Sequence, residues 1–169
     1  MDFGQLAIGL TGSLVGVIGW LLVGLYIQSR ARHRAARDAA RAVYFELVAN
    51  QLAVYTALEF GVFGTLSRST YDRLLPEIST FLRIEELQSV TLAYLGHAGD
   101  EQVRGDPDVP AEVRRFALSG LHEAHRTAIG LVRARAFTRQ ELKRLSDHAT
   151  PDQRRLLSAA EAPLFAPKE

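Results

Sequence analysis

Apolar and polar positions divide this chain into one long uncharged run followed by several amphipathic stretches. From Phe3 to Gln28 no charged side chain interrupts the sequence. The core of that run, Leu6 to Ile27, would rise roughly 33 Å as a helix, enough to cross about 30 Å of hydrocarbon. It is rich in Leu, Ile and Val, each of which favours insertion by about 0.3–0.6 kcal/mol near a bilayer centre. The expected element over residues 1–28 is a single transmembrane anchor. A buried soluble helix rarely runs this long without charge. A cleaved signal peptide would need positive charge before a shorter apolar core. Here Asp2 precedes the core and Arg30, Arg32, Arg34, Arg37 and Arg41 follow it.

That charge order gives the anchor a direction. By the positive-inside rule the N-terminus faces out and the arginine-rich side stays in the cytoplasm, placing the chain in a plasma (inner) membrane. Within the run, Gly9, Gly12, Gly16 and Gly19 fall on one helical face with Ser13 beside them. Such a groove lets a second transmembrane helix approach closely, either from another copy or from a membrane complex.

From Ser29 to about Leu58 there is no proline or glycine, and alanine is abundant, so a helix is predicted. Residues 29–66 form a juxtamembrane basic and then amphipathic segment. Val43, Leu47, Val54 and Leu58 mark one side of its apolar face, and Tyr44, Val48 and Tyr55 the other. Arg30, Arg32 and Arg34 lie close enough to meet anionic lipid headgroups for about 1 kcal/mol each. Arg41 would stand about 16 Å beyond Arg30 on an upright helix, so Arg37 and Arg41 are assigned to acidic groups of the domain or of a partner. Glu46 and Asn50, one turn apart at the edge of the apolar face, are expected to pair within the domain, Glu46 with a basic helix.

Residues 67–162 read as a small helical bundle, and 163–169 as a flexible tail. Ser69 to Asp72 has capping-box spacing, and Pro76 suggests a helix boundary or a first-turn proline. Ile78, Phe81 and Leu82 make one short apolar face. Leu87, Val90, Tyr94 and Ile84 make a second, rotated face, so the helix is expected to break near Arg83. Gly96 to Pro110 reads as a loop. Pro110 opens a helix through about Ala136, with a stripe of Val113, Phe116, Ala117, Leu121, Ala124, Ala128, Leu131 and Val132. Thr138 to Glu141 is a second capping box, and Thr150-Pro151 starts a last short helix. The fold class is all-α.

Composition narrows the chemistry. There is no cysteine, so neither a disulfide framework nor a thiolate metal site is possible. Net charge is +1, with a basic stretch at Arg30–Arg41, an acidic one at Asp100–Glu112 and a basic one at Arg114–Arg144. The last is expected to be paired within the molecule or to form solvated surface, and no nucleic acid is expected. His122 and His125 are three apart, not four as in the zincin arrangement, and no third ligand is evident. His33, His97 and His148 read as surface residues. Gly105 sits at the sixth position of a calcium-loop frame, but Ala111 stands where its glutamate belongs. Arg104-Gly105-Asp106 is taken as a chance tripeptide. No phosphate loop or nucleophile motif occurs. The expected catalytic, cofactor and metal sites are therefore none. The function expected is a non-catalytic membrane accessory or scaffolding subunit, with a membrane-anchored signalling or regulatory module as the alternative.

Overall fold

The computed structural model describes the backbone of residues 3–152, 154, 155 and 158, with side chains from residue 19 onward except 105. Its elements are α1 (Phe3–Phe60), α2 (Ser69–Ser79), α3 (Ile84–Gly105), α4 (Ala111–Ala136) and α5 (Arg139–His148). The described residues are all-helical and contain no strand. The chain divides into two compact units, Met1–Ala35 and Ala36–Glu169.

In the first unit, α1 carries no break at Gln28-Ser29. Among the described residues no helix is long and apolar enough to cross a membrane. The calls at Gly9, Gly12, Ser13 and Gly16 fall on residues whose side chains lie outside the described set. Gly19 lies within it, with nothing inside 4 Å of the Cβ position.

The second unit is built on the remainder of α1. Ala36, Ala39, Ala40, Val43, Tyr44, Leu47, Val54 and Ala57 recur at helical spacing and are buried. Of these, Ala39, Ala40, Val43, Tyr44 and Leu47 pack against Tyr71 and Ile78 of α2, Val90, Ala93 and Tyr94 of α3, and Ala128, Ile129, Val132 and Ala136 of α4. A smaller cluster joins Val54 and Ala57 to Leu118 and Leu121. Gly61 ends α1 with φ of +67°, where its N–H still reaches the Ala57 carbonyl at 3.0 Å. That left-handed turn favours glycine.

Several expectations change. Gly96–Pro110 is not a loop throughout, because α3 continues to Gly105. Gly96 serves packing: a Cβ there would lie 2.6 Å from Leu121 Cδ1, so its absence lets α3 and α4 close on each other. Arg104 reinforces the extension by pairing with buried Asp100 at 2.8 Å and donating to the Gly64 carbonyl at 3.0 Å. Pro76 sits inside α2, on its exposed side, where the carbonyl it cannot serve stays open to water. Ile84, Val113 and Phe116 are exposed and leave their predicted faces; the buried stripe of α4 begins at Leu118.

Leu47 is fully buried at the centre of the core. Leu47→Ala is expected to cost about 2–5 kcal/mol, checked by denaturant unfolding of the full chain.

Candidate functional site

The densest polar arrangement in the second unit is a buried seam running from α1 across α2 and α3 to α4. Glu46 begins it. Its carboxylate accepts from Ser67 Oγ (2.7 Å), the Thr70 N–H (2.9 Å), the Tyr71 N–H (2.9 Å) and Tyr94 OH (2.9 Å). The two N–H donors belong to the first turn of α2, whose partial positive charge a carboxylate complements. Burial pushes the Glu46 carboxyl up, but the bonds from Thr70, Ser67, Tyr71 and Tyr94 outweigh it and hold the group below its ordinary value. Tyr94 is driven strongly upward by burial and by the neighbouring Glu46 charge, so its hydroxyl stays a donor.

This geometry corrects two expectations. Glu46 meets a helix N-terminus and a phenol, not a basic helix. The Ser69–Asp72 capping box does not form: α2 begins after Arg68 without a side-chain cap, and Asp72 is taken up by Arg68 at 2.8 Å. A carboxylate from another helix has replaced the local cap. Asn50 completes the attachment, donating to the Ser67 carbonyl (2.7 Å) and accepting its N–H (2.8 Å).

Beyond Glu46 the seam becomes aromatic. Tyr71 and Tyr94 stack with centroids 4.2 Å apart, and Tyr94 contacts His97 at 5.2 Å. His97 Nε2 faces His125 Nε2 at 2.8 Å, while His122 Nδ1 lies 3.1 Å from Gln51 Nε2. All three histidines are buried, which overturns the surface reading of His97. A contact between two Nε2 atoms requires one ring to donate and the other to accept, so the accepting ring is neutral, and burial disfavours charge on both. Their Nδ1 atoms have no hydrogen-bond partner among the described residues. Burial holds His97 at about 4, the Glu46 charge opposing it, and holds His125 at about 3 with His97 and His122 adding to the depression. Among the described residues no group of three or more His, Asp or Glu side chains is placed to hold a metal ion.

Arg37 and Arg41 form a second polar contact. Their Nε atoms donate to the Ala136 carbonyl at the end of α4, at 2.9 and 3.1 Å. Their outer nitrogens reach Glu141, Arg37 at 3.0 Å and Arg41 closer still. Glu141 also closes the Thr138 capping box, accepting the Thr138 N–H at 2.7 Å. The bonds from Thr138, then those from Arg41 and Arg37, hold Glu141 at about 2. Arg30, Arg32 and Arg34 are exposed, and Arg30 donates to Tyr26 OH at 3.3 Å. On α4, Arg126 pairs with Glu123 and Arg135 with Glu86.

The sequence held one unused signal for the histidines. His122 and His125 share the helical spacing of Leu118, Leu121, Ala128 and Ile129, all buried. His97 lies one turn beyond the buried Ala93 and Tyr94. No protein-family model, curated protein or solved structure matches the chain.

Glu46→Ala strands the α2 N–H groups and the Tyr94 hydroxyl, and is expected to cost on the order of 2–4 kcal/mol in unfolding free energy, with Glu46→Gln recovering part.

The histidines also predict acid sensitivity. An unfolded imidazole binds a proton below about pH 6.5, whereas the folded ones resist until about pH 4 or 3. Stability is therefore complete above about pH 6.5 and falls as pH drops towards 4, by about 1.4 kcal/mol for each unit of depression. Glu46 and Glu141, held below their ordinary values, add loss only below about pH 4.5. Asp100, raised chiefly by burial, opposes the loss. Unfolding midpoints between pH 7 and 5 should decline, and His125→Met, of similar bulk but non-titrating, should flatten the slope.

Proposed function

We propose that this chain is a single-pass membrane protein, a non-catalytic accessory or scaffolding subunit that presents the helical domain of residues 36–148 in the cytoplasm. One observation carries the reading. Every described residue from Gly19 to Ile27 is exposed, including Trp20, Leu21, Leu22, Val23, Leu25, Tyr26 and Ile27, with no cover from the chain itself. A helix that is apolar all round needs lipid or other helices as its solvent. The exposed Arg30, Arg32 and Arg34 follow directly, where a cytoplasmic headgroup layer would lie. The line of Gly9, Gly12, Gly16 and Gly19 supplies a face on which a companion helix packs.

A second reading, a membrane-anchored signalling or regulatory module, is favoured by the absence of a break in α1 at Gln28-Ser29.

Purification from native membranes in mild detergent tests the first reading. The chain is expected to bring down a stoichiometric companion or a defined self-oligomer, and Gly12→Leu with Gly16→Leu should release it. A monomer with no companion would overturn the assignment.

A further inference from the structure

The strongest unabsorbed feature is a groove between α1 and α5. Phe45, Phe137 and Leu145 supply its apolar lining, and Arg41, Glu141, Arg144 and His148 its polar lining, around a volume of about 320 Å³. That is the small end of the range of about 300–1,000 Å³ typical of ligand pockets. Phe45 is 52% exposed and Leu145 42% exposed, although both belong to a domain with a well-packed core. No residue of α5 is buried. The helix is held instead by Glu141 in the grip of Arg37 and Arg41, and by the Thr138 cap.

The aromatic part of the lining is itself packed. Tyr44, Phe45 and Phe137 contact one another edge to face, with centroids 5.0–6.1 Å apart, and the Arg41 guanidinium lies 5.4 Å over the Phe137 ring. Aromatic and arginine side chains around an apolar lining are the residue types that dominate interface energetics. Arg41 is balanced by Glu141, but no ion pair among the described residues involves Arg144. Arg144, Lys143 and His148 are all exposed. Among the described residues, Arg144 thus edges the apolar slot without an ion-pair partner, beside the Arg41–Glu141 pair.

We propose that this groove docks an acidic, amphipathic segment of a partner protein: an aliphatic or aromatic side chain seated between Phe45, Phe137 and Leu145, with flanking carboxylates on Arg144 and His148. The charge on Arg144 selects the occupant, since a basic segment would meet like charge and a purely apolar one would leave Arg144 unused. The proposal deepens the accessory-subunit reading and rests on it for the existence of a partner.

The test uses the full chain in nanodiscs of neutral lipid and a short fluorescent peptide with a Leu-Phe centre flanked by Glu, against the same peptide with Lys for Glu. The Glu peptide is expected to bind, more weakly as salt rises, and the Lys peptide not to. Phe45→Ala, Leu145→Ala and Arg144→Glu should each weaken binding by about tenfold or more. Ile84→Ala, at an exposed apolar position outside the groove, should leave it unchanged. Phe45 and Arg144 are exposed enough that unchanged helical content by circular dichroism will show the variants to be folded. Equal binding of both peptides, or indifference to the three groove variants, overturns the proposal. So does displacement of the peptide by phosphatidylglycerol, which would assign the groove to lipid, or loss of self-association in Phe45→Ala, which would assign it to a second copy. If a companion co-purifies equally with wild type and Phe45→Ala, the groove assignment fails while the accessory reading stands; if the peptide binds as described but no companion is found, the reverse holds.

Discussion

The second unit depends on the matching of charge on α1 to the ends of other helices. The Glu46 carboxylate sits against the N-terminal N–H groups of α2. Arg37 and Arg41 sit against the last carbonyl of α4. A helix carries partial positive charge at its start and negative at its end, so Glu46, Arg37 and Arg41 each meet the complementary terminus. Both contacts are also multiple: Glu46 gathers Ser67 and Tyr94, and the arginines gather Glu141. The segment from Arg37 to Asn50 therefore fixes where α2 begins, where α4 stops and where α5 starts.

The histidine seam lies behind this framework and differs in character. Glu46 is satisfied by its four donors, whereas the Nδ1 atoms of His97 and His125 find none among the described residues. A buried polar atom without a partner costs about 1–3 kcal/mol, so the pair persists because packing holds it. The close approach at Gly96 brings α3 onto Leu121, one residue before His122. That contact helps to close the core around the imidazoles.

Much of the architecture was legible because local patterns and tertiary packing agree. The glycine-free stretch after Ser29, the change of face around Arg83 and the Thr138 cap each had a local signal. The misreadings share a cause. In isolation Gly96 and Pro76 signal a break and Ser69 a local cap, but tertiary contacts override them: Leu121 uses the missing Cβ, the solvent side of α2 tolerates the proline, and Glu46 supplies the cap from a distance of 24 residues in sequence. The histidines were missed for a related reason. Polar residues on an apolar stripe read as ligands or surface, whereas the structure packs these rings in the core.

The uncharged segment and the domain share the single helix α1. On the function proposed above, Phe3–Gln28 lies in the bilayer with its N-terminus outside and Arg30, Arg32 and Arg34 on the cytoplasmic side. The chain has no cysteine, so single cysteines introduced along it report topology without background. Membrane-impermeant maleimide labelling in intact cells should modify Asp2→Cys, while Leu14→Cys and Arg115→Cys stay unlabelled; in inverted vesicles Arg115→Cys should label and Asp2→Cys should not. Labelling of Arg115→Cys from outside intact cells, or of Leu14→Cys from either side, would contradict the account.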